Sequence, residues 1–330
     1  MEIGNGNGSV AGLGTRIVEN VSRVLVGKEP EIELCVIALL SRGHILIEDV
    51  PGVGKTMLAK SLARSLGCSF ERLQFTPDLL PSDVTGVNIY SPNTQRFEFR
   101  QGPVFTQVLL ADEINRATPK TQSALLEAME ERQVTVDGTT YPLSLPFLVL
   151  ATQNPIEFAG TFPLPEAQVD RFMMRIQLGY LDVAHEVQVL DRFQRESPME
   201  QLEAVATAED IVAGHKAVQE VYVDEQLKEY VARLTHRTRS HADIGLGASS
   251  RGSLGLFRTA QARAALDGRD YVTPDDIKAL ALPILAHRLI LKPNAELRGL
   301  TASKIMGQIL ESEPVPPPTL VSRFGRRAAG

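Results

Sequence analysis

The chain has 330 residues, of which 43% are hydrophobic and 22% are charged, and its formal net charge is −6. This length suggests two domains, or one large and one small, and the composition is typical of a soluble globular protein. The acidic balance disfavours nonspecific binding to nucleic acid. With no signal peptide and no apolar stretch of membrane-spanning length, we expect a cytoplasmic protein without membrane insertion.

The start of the chain combines a glycine-rich segment with two helical patterns. Five glycines lie among the first 14 residues, so residues 1–14 are expected to be flexible. Helical patterns follow at about 15–25 and 30–40. An apolar run at 44–48 is then predicted to be a strand, and a helical pattern begins after Lys55.

A glycine-rich turn separates this strand from the helix. The run Gly52-Val53-Gly54-Lys55-Thr56 matches the core of a phosphate-binding loop, although Asp49 stands where the full pattern has its first glycine. Small residues let backbone N–H groups close around an anion, and the helix N-terminus adds partial positive charge. Lys55 would neutralise the β- and γ-phosphates, and the Thr56 hydroxyl would hold Mg²⁺. The residues expected to bind nucleotide here are Pro51, Gly52, Val53, Gly54, Lys55, Thr56 and Met57.

Two further apolar runs end in polar residues. Asp112 and Glu113 follow the run 107–111, as expected of a buried parallel strand that delivers carboxylates at its end. We predict that Asp112 serves the metal and that Glu113 polarises the attacking water. Asn154 follows the run 147–152 and could hydrogen-bond a γ-phosphate oxygen and the water. The alternatives are a solvated turn for the two acids and a turn-forming Asn before Pro155.

The alternation of strands and helices predicts an α/β core over residues 15–195 with a mostly parallel sheet. Two hairpin insertions are expected at about 76–105 and 133–145. In the first insertion, Phe97 and Phe99 alternate with charged residues and are expected to form one buried face. After Tyr180 only helical patterns remain, which predicts a helical domain over 203–312 with a boundary near 195–203. The proline-containing tail at 313–330 is expected to be mobile.

A parallel α/β nucleotide domain followed by a helical lid is the plan of the AAA+ ATPases. More narrowly, the sequence resembles the MoxR family, in the clade with hairpin insertions in its second helix and before its third motif strand. The matching runs cover residues 48–56, 111–116, 151–155, 164–172 and 247–251, within a resemblance that spans about 26–283. The family has Pro where Ser250 stands and Leu where Val169 stands.

The resemblance implies roles for individual residues. Lys55 and Thr56 match the Walker A pair, Asp112 and Glu113 the Walker B acids, Asn154 sensor 1, Arg171 the arginine finger, Arg251 sensor 2, and Val26 and Gly27 the residues that flank adenine. The alternative for Arg171 is an ion pair with Asp170 or Glu166, and the alternative for Arg251 is a solvated position at a helix start.

The resemblance also implies a function. The protein is expected to hydrolyse ATP with Mg²⁺, to form a homo-oligomeric ring with a hexamer as the expected form, and to remodel or mature client proteins. The family often works with a partner that carries a von Willebrand A-type domain. Three alternatives remain open at this point: the ATPase subunit of a metal chelatase, a nucleic-acid-dependent motor or loader, and a nucleotide-gated scaffold.

Overall fold

The computed structural model describes residues 6–155, 160–194 and 198–317. Most of the tail that is expected to be mobile, from residue 318 onward, lies outside the described residues. So do residues 1–5 of the expected flexible start and residues 195–197 of the expected domain boundary.

The first thirteen helices and strands extend to the fourth strand, in chain order, of the central sheet. In chain order they are α1 (Gly6–Ser22), α2 (Glu29–Leu40), β1 (Ile45–Glu48), α3 (Lys55–Ser65), β2 (Phe70–Gln74), α4 (Pro81–Thr85), β3 (Gly86–Ser91), β4 (Arg96–Gln101), β5 (Val108–Asp112), α5 (Pro119–Glu131), β6 (Gln133–Val136), β7 (Thr139–Pro142) and β8 (Leu148–Gln153).

The remaining part of the chain is mostly helical. Its elements are α6 (Glu166–Val169), β9 (Met174–Ile176), α7 (Val183–Phe193), α8 (Ala208–Gln219), α9 (Glu225–Ser240), β10 (Ile244–Leu246), α10 (Ser250–Leu266), α11 (Pro274–Leu285), β11 (Ile290–Leu291), α12 (Pro293–Leu297) and α13 (Ala302–Ser312).

The centre of the molecule is a five-stranded parallel sheet with the strand order β2-β5-β8-β1-β9. Its three central strands, β5, β8 and β1, are apolar on both faces: Ile45 and Ile47 pack with α1, α2 and α3, whereas Leu46 and Leu109 pack with α5 on the other face. Burial on both faces explains why these strands read as continuous apolar runs. The predicted α/β core with a parallel sheet is confirmed.

The helical lid follows the sheet and contains one feature that the sequence analysis did not predict. The helices α8 to α13 follow the sheet in the chain, and α10 packs against α11 as well as against α1 and α2. Within the lid, β10 and β11 form a short antiparallel pair in which Ile244 lies opposite Leu291. The expectation that strands end after Tyr180 is therefore wrong for these two segments, which are too short to show a period in the sequence.

A buried arginine joins the lid to the core. Arg288 lies in the short 3₁₀ turn that follows the lid helix α11. It donates from Nε to Asp170 Oδ1 at 2.9 Å and from Nη2 to the carbonyl of Phe172 at 2.7 Å. The neighbouring His287 ring contacts the same carbonyl, and burial together with the Arg288 guanidinium lowers the pKa of His287 below its ordinary value. The lid is therefore docked on the chain that enters β9.

The expectation of a flexible start is wrong for residues 6–14, because α1 begins at Gly6. Val10, Leu13 and Ile17 are buried in the main core cluster, at helical spacing that the glycines obscure in the sequence. A Cβ atom added to Gly14 would overlap Cδ2 of Leu266. At this position, the glycine permits close contact between α1 and the end of α10.

The two hairpins contact each other through aromatic side chains. Strands β3 and β4 pair in the segment 76–105, and β6 and β7 pair across the turn at Asp137 and Gly138. Phe99 stacks on Tyr141 with ring centroids 4.1 Å apart, whereas Phe97 is 73% exposed. The buried face expected for the first hairpin therefore includes Phe99 but not Phe97.

The packing of α1 predicts opposite effects for two glycine-to-alanine changes in the same helix. Gly12→Ala should raise the free energy of unfolding by about 0.5–1 kcal/mol, because alanine favours helix and the new methyl group meets only Arg16 Nη1 at 3.6 Å. Gly14→Ala should be about 1–3 kcal/mol less stable than Gly12→Ala, because the new methyl group overlaps Leu266. Denaturant unfolding measures both values, and equal stabilisation by the two changes would contradict the packing of α1.

Candidate active site

The glycine-rich loop (residues 49–54) connects β1 to α3 at the carboxyl edge of the sheet. Gly52 and Gly54 have φ angles of +88° and +96°, a region that favours glycine. A Cβ atom added to either residue would meet no atom within 4 Å, so open space lies beside the backbone. The loop can therefore admit an anion close to its N–H groups, which is what a phosphate requires.

The first residues of α3 add positive charge to this loop. Lys55 is the first residue of the helix and Thr56 is the second. The Lys55 ammonium donates to the carbonyl oxygen of Asp49 at 2.7 Å. The helix N-terminus and this lysine thus place favourable charge for an anion beside the two glycines.

A cavity of about 260 Å³ opens next to the glycine-rich loop. Its lining comes from three segments of the chain: Val24, Leu25, Val26, Lys28, Gly52, Val53, Gly54, Met57, Gly179, Tyr180, Leu181, Glu186 and Val189. The predicted nucleotide-binding residues Val26, Gly52, Val53, Gly54 and Met57 are therefore brought together. Pro51, Lys55 and Thr56 are not among the lining residues.

Gly27 lies beside the cavity without lining it. Its φ angle is +65°, and a Cβ atom there would lie 2.7 Å from the His185 ring. Gly27 thus lets the chain after α1 approach the start of α7, and this packing sets the position of Val26 in the cavity wall.

The two acids lie at the carboxyl end of β5, next to β8. Thr152 in β8 connects them: its hydroxyl donates to Asp112 Oδ1 at 2.6 Å and accepts from the Glu113 N–H at 2.8 Å. Arg72 in β2 donates to Asp112 Oδ2 at 2.7 Å. Glu113 has a φ angle of +56°, which is uncommon for a residue other than glycine and is typical of functional positions.

The Glu113 carboxylate is held by two side chains of its own protomer. Gln74, at the end of β2, donates to Glu113 Oε2 at 2.5 Å, and Arg116 Nε lies 3.1 Å from the same oxygen. Sequence reasoning missed Gln74, Arg72 and Thr152. The available signal was that each is a polar residue near the carboxyl end of a strand that neighbours β5.

Asn154 completes the polar residues at this edge. It directly follows β8, which lies between β5 and β1 in the sheet, and it is 6% exposed. The structure therefore places the glycine-rich loop, the two acids and Asn154 at the ends of three adjacent strands.

The two predicted catalytic arginines do not join this group. Arg171 precedes β9, and its Nε lies 3.2 Å from Glu130 Oε2. Arg251, in the first turn of α10, bonds the other oxygen of Glu130. Within the part of the chain that the structure describes, Arg171 pairs with Glu130, and the carboxylate of its neighbour Asp170 accepts from Arg288 and from Ser249.

The contacts of His44 indicate at which edge of the sheet the arginine pair, Arg171 and Arg251, lies. His44 directly precedes β1; its Nδ1 accepts from the Val149 N–H at 3.0 Å, so Nε2 donates to the Met129 carbonyl at 3.1 Å. Burial lowers the pKa of His44 to about 4, in keeping with this neutral ring. Since Met129 adjoins Glu130, the arginine pair lies at the amino edge, opposite the glycine-rich loop.

The polar residues at the carboxyl edge fit a magnesium ion better than a metal held by protein alone. Mg²⁺ prefers oxygen ligands and is usually bound by one or two carboxylates together with substrate phosphates and water. Thr56 and Asp112 offer such oxygens. The described residues contain no group of three or more His, Cys, Asp or Glu side chains placed to hold a metal.

None of the described helices has the length and apolarity to cross a membrane.

The sheet order, the glycine-rich loop after β1, the acids after β5 and the helical lid define the chain as a AAA+ ATPase. Residues 44–174 match the family described as ATPase family associated with various cellular activities (AAA), and residues 236–309 match the AAA lid domain.

Comparison with similar proteins shows to which family of AAA+ ATPases the chain belongs. The chain is 52% identical to the uncharacterized protein YeaC of Bacillus subtilis, over 91% of this chain and 94% of that protein. It is 39% identical to chaperone MoxR1 of Mycobacterium tuberculosis, over 94% of this chain and 84% of that protein. The crystal structure of a candidate ATPase from Cytophaga hutchinsonii superposes with a TM-score of 0.89, at 42% identity, over 94% of this chain and 97% of that chain. The chain belongs to the MoxR family of AAA+ ATPases.

The Thr152 hydroxyl predicts a measurable stability difference. Thr152→Val keeps the shape of the side chain but leaves the Glu113 N–H and one Asp112 oxygen without their partner, so the free energy of unfolding should fall by about 1–3 kcal/mol. Thr152→Ser keeps the hydroxyl and is the matched control, expected to lose less. Denaturant unfolding of the three proteins tests this, and a Val variant as stable as the Ser variant would contradict the role of the hydroxyl.

Proposed function

We propose that the protein is a Mg²⁺-dependent ATP hydrolase of MoxR type that works in the cytoplasm as a ring of identical subunits, with six as the expected number. The observation that carries the proposal is the meeting of the glycine-rich loop, Asp112, Glu113 and Asn154 at one edge of the sheet. Its biological task is proposed to be the remodelling or maturation of client proteins or complexes.

The glycine-rich loop and α3 bind the triphosphate in this proposal. Backbone N–H groups around Gly52 and Gly54, with Lys55, contact the phosphates, and Val26 and Met57 contact the nucleoside in the adjacent cavity. Thr56 and Asp112 would hold Mg²⁺, which would neutralise phosphate charge when bound. Arg72 and Thr152 keep the Asp112 carboxylate in place.

Glu113 orients and polarises the attacking water. To do so its carboxylate must exchange its contacts with Gln74 and Arg116 for the water. Asn154 donates an amide hydrogen bond to the γ-phosphate or the water without titrating. Hydrolysis therefore depends on a rearrangement around Glu113 that the structure allows, since all three side chains are partly exposed.

Arg171 and Arg251 act on the nucleotide of a neighbouring subunit. Within one protomer, β1 alone separates the two edges of the sheet by about 13 Å, at about 3.3 Å per residue over four residues. This separation supports delivery of both guanidinium groups to an adjoining copy. A guanidinium at the transferring phosphoryl group stabilises the charge that develops there.

The client-facing surface is proposed to include the first hairpin. Val87, Ile89, Tyr90 and Phe97 are all more than 40% exposed there, which is unusual for apolar side chains and favours a protein contact. A partner with a von Willebrand A-type domain is proposed from the family resemblance. Neither the chelatase subunit nor the nucleic-acid motor is favoured by a specific feature of the described residues.

The role of Glu113 predicts separable effects on binding and hydrolysis. Glu113→Gln should bind ATP with little change but hydrolyse it about 10²-fold more slowly or worse, because an amide cannot accept the proton of the water. The matched control is Glu71→Gln, which alters an exposed acid on β2. Phosphate release and equilibrium ATP binding measure the two effects, and near-normal turnover of the Glu113 variant would reject the assignment.

The proposed action in trans predicts rescue in mixed rings. Arg171→Ala should lower the hydrolysis rate about 10³-fold, and Lys55→Ala should abolish nucleotide binding in its own subunit. Mixing the two inactive variants should restore activity, because the Lys55 variant still supplies Arg171 to an intact site. Arg64→Ala, which removes an exposed arginine of α3, is the control and should need no rescue. No recovery at any mixing ratio would instead indicate a role within one subunit.

A further inference from the structure

Asp49 occupies the position of the missing glycine and makes an unusual set of contacts. Its side chain is buried, with 8% of the residue exposed. Oδ1 accepts from the Val50 N–H at 2.8 Å, whereas Oδ2 accepts from the N–H groups of Leu178 at 2.7 Å and Gly179 at 2.6 Å. Such charge-assisted bonds to a carboxylate are stronger than bonds between neutral groups. The glycine-rich loop is thereby fastened to a segment 129 and 130 residues further along the chain.

Lys28 holds the same segment from its other side. Its ammonium group donates to the carbonyl of Leu178 and to the carbonyl of Tyr180, the latter at 3.3 Å. Lys28 is also 8% exposed, so these bonds form in a largely dry environment, where they are stronger than in water. The buried carboxylate of Asp49 thus accepts hydrogen bonds from N–H groups of this segment, and the buried ammonium of Lys28 donates hydrogen bonds to its carbonyl groups. We call residues 178–180 the link segment.

The link segment connects the sheet to the lid. It lies between the end of β9 at Ile176 and the start of α7 at Val183, on the path that leads to the lid helices. Gly179, Tyr180 and Lys28 also line the cavity beside the glycine-rich loop. A shift of the link segment would therefore change both the cavity wall and the chain that leads out of the core.

Asp49 also contacts the lysine that is proposed to bind phosphate. The Lys55 ammonium donates to the Asp49 carbonyl at 2.7 Å, and this carbonyl belongs to the same peptide unit as the Val50 N–H that donates to the Asp49 side chain. When Lys55 turns to phosphate oxygens, the Asp49 carbonyl loses this donor, and the peptide between Asp49 and Val50 is released on one side. A glycine at position 49 would have no side chain to carry this change further.

We propose that Asp49 and Lys28 are positioning residues that couple the occupancy of the glycine-rich loop to the link segment, and through it to the lid. The inference rests on the proposed function, since it requires Lys55 to bind nucleotide phosphates. When the peptide between Asp49 and Val50 moves, the Asp49 side chain moves Leu178 and Gly179 with it. Lys28 holds the link segment against the cavity, so that the segment responds to this movement as one unit.

The test compares nucleotide-dependent hydrogen exchange in the full-length wild type and in Asp49→Asn. In the wild type, adding a non-hydrolysable ATP analogue should change amide exchange in residues 178–181. In Asp49→Asn this nucleotide-dependent change should disappear, while the Kd for the analogue stays within about threefold. We expect kcat to fall about tenfold, because small misplacements that originate far from the reacting atoms slow the chemical step. Lys28→Met should have the same effects on exchange, Kd and kcat. It provides the test if the Asp49 variant does not fold.

Asp276→Asn is the matched control, because it alters a buried carboxylate that accepts from the Thr273 N–H at 2.7 Å, far along the chain in the lid. It should lower stability but leave the response of residues 178–181 intact. A wild-type-like response in Asp49→Asn or Lys28→Met would overturn the coupling. A rise of more than about tenfold in Kd would also overturn it, since these residues would then shape the binding site itself. A wild type that neither binds nor hydrolyses ATP would instead reject the proposed function.

Discussion

The parallel alignment of five strands is the constraint on which the arrangement of this molecule depends. It brings the carboxyl ends of β1, β8 and β5 side by side. The glycine-rich loop, Asn154 and the two acids lie at or directly after these strand ends, so they are close together without long connecting loops. The same alignment sends the chain segments that enter the strands to the opposite edge. Arg171 lies there because it precedes β9, and Arg251 reaches it because the lid docks on that entry segment.

The charged groups of the proposed machinery share a second property: each contacts a partner within its own protomer. Lys55 contacts a carbonyl, Glu113 contacts Gln74 and Arg116, and the two arginines share Glu130. These contacts are formed by side chains that are partly exposed, so exchange for phosphate oxygens or water costs little compared with breaking a buried pair. In the proposed mechanism, each of these groups exchanges its partner within the protomer for a phosphate oxygen or for water.

The sequence predicted those parts of the fold that have a regular period or a local motif. The buried strands showed as apolar runs, and the position of Lys55 at the start of a helix followed from the glycine-rich turn. The start of α1 was missed because glycines weaken a helical pattern that tertiary packing restores. The β10–β11 pair was missed because strands of three and two residues carry no period.

Contacts between distant parts of the chain could not be predicted in the same way. Asp49 was visible only as a departure from a pattern, and its bonds to the link segment follow from the path of the chain after β9. Glu130 belongs to no recognisable sequence motif. In the structure its carboxylate pairs with Arg171 and Arg251, which are 80 residues apart in the sequence. Such partners are set by the fold as a whole, and the pattern of one amino-acid sequence does not specify them.

The most direct test of the account is the rate of ATP hydrolysis per subunit across a wide range of protein concentration, with the oligomeric state followed by analytical ultracentrifugation. If arginines from an adjoining copy complete each site, the rate per subunit should rise in step with the assembled fraction and approach zero for the monomer. A monomeric protein that hydrolyses ATP as fast per subunit as the assembled form would contradict the account.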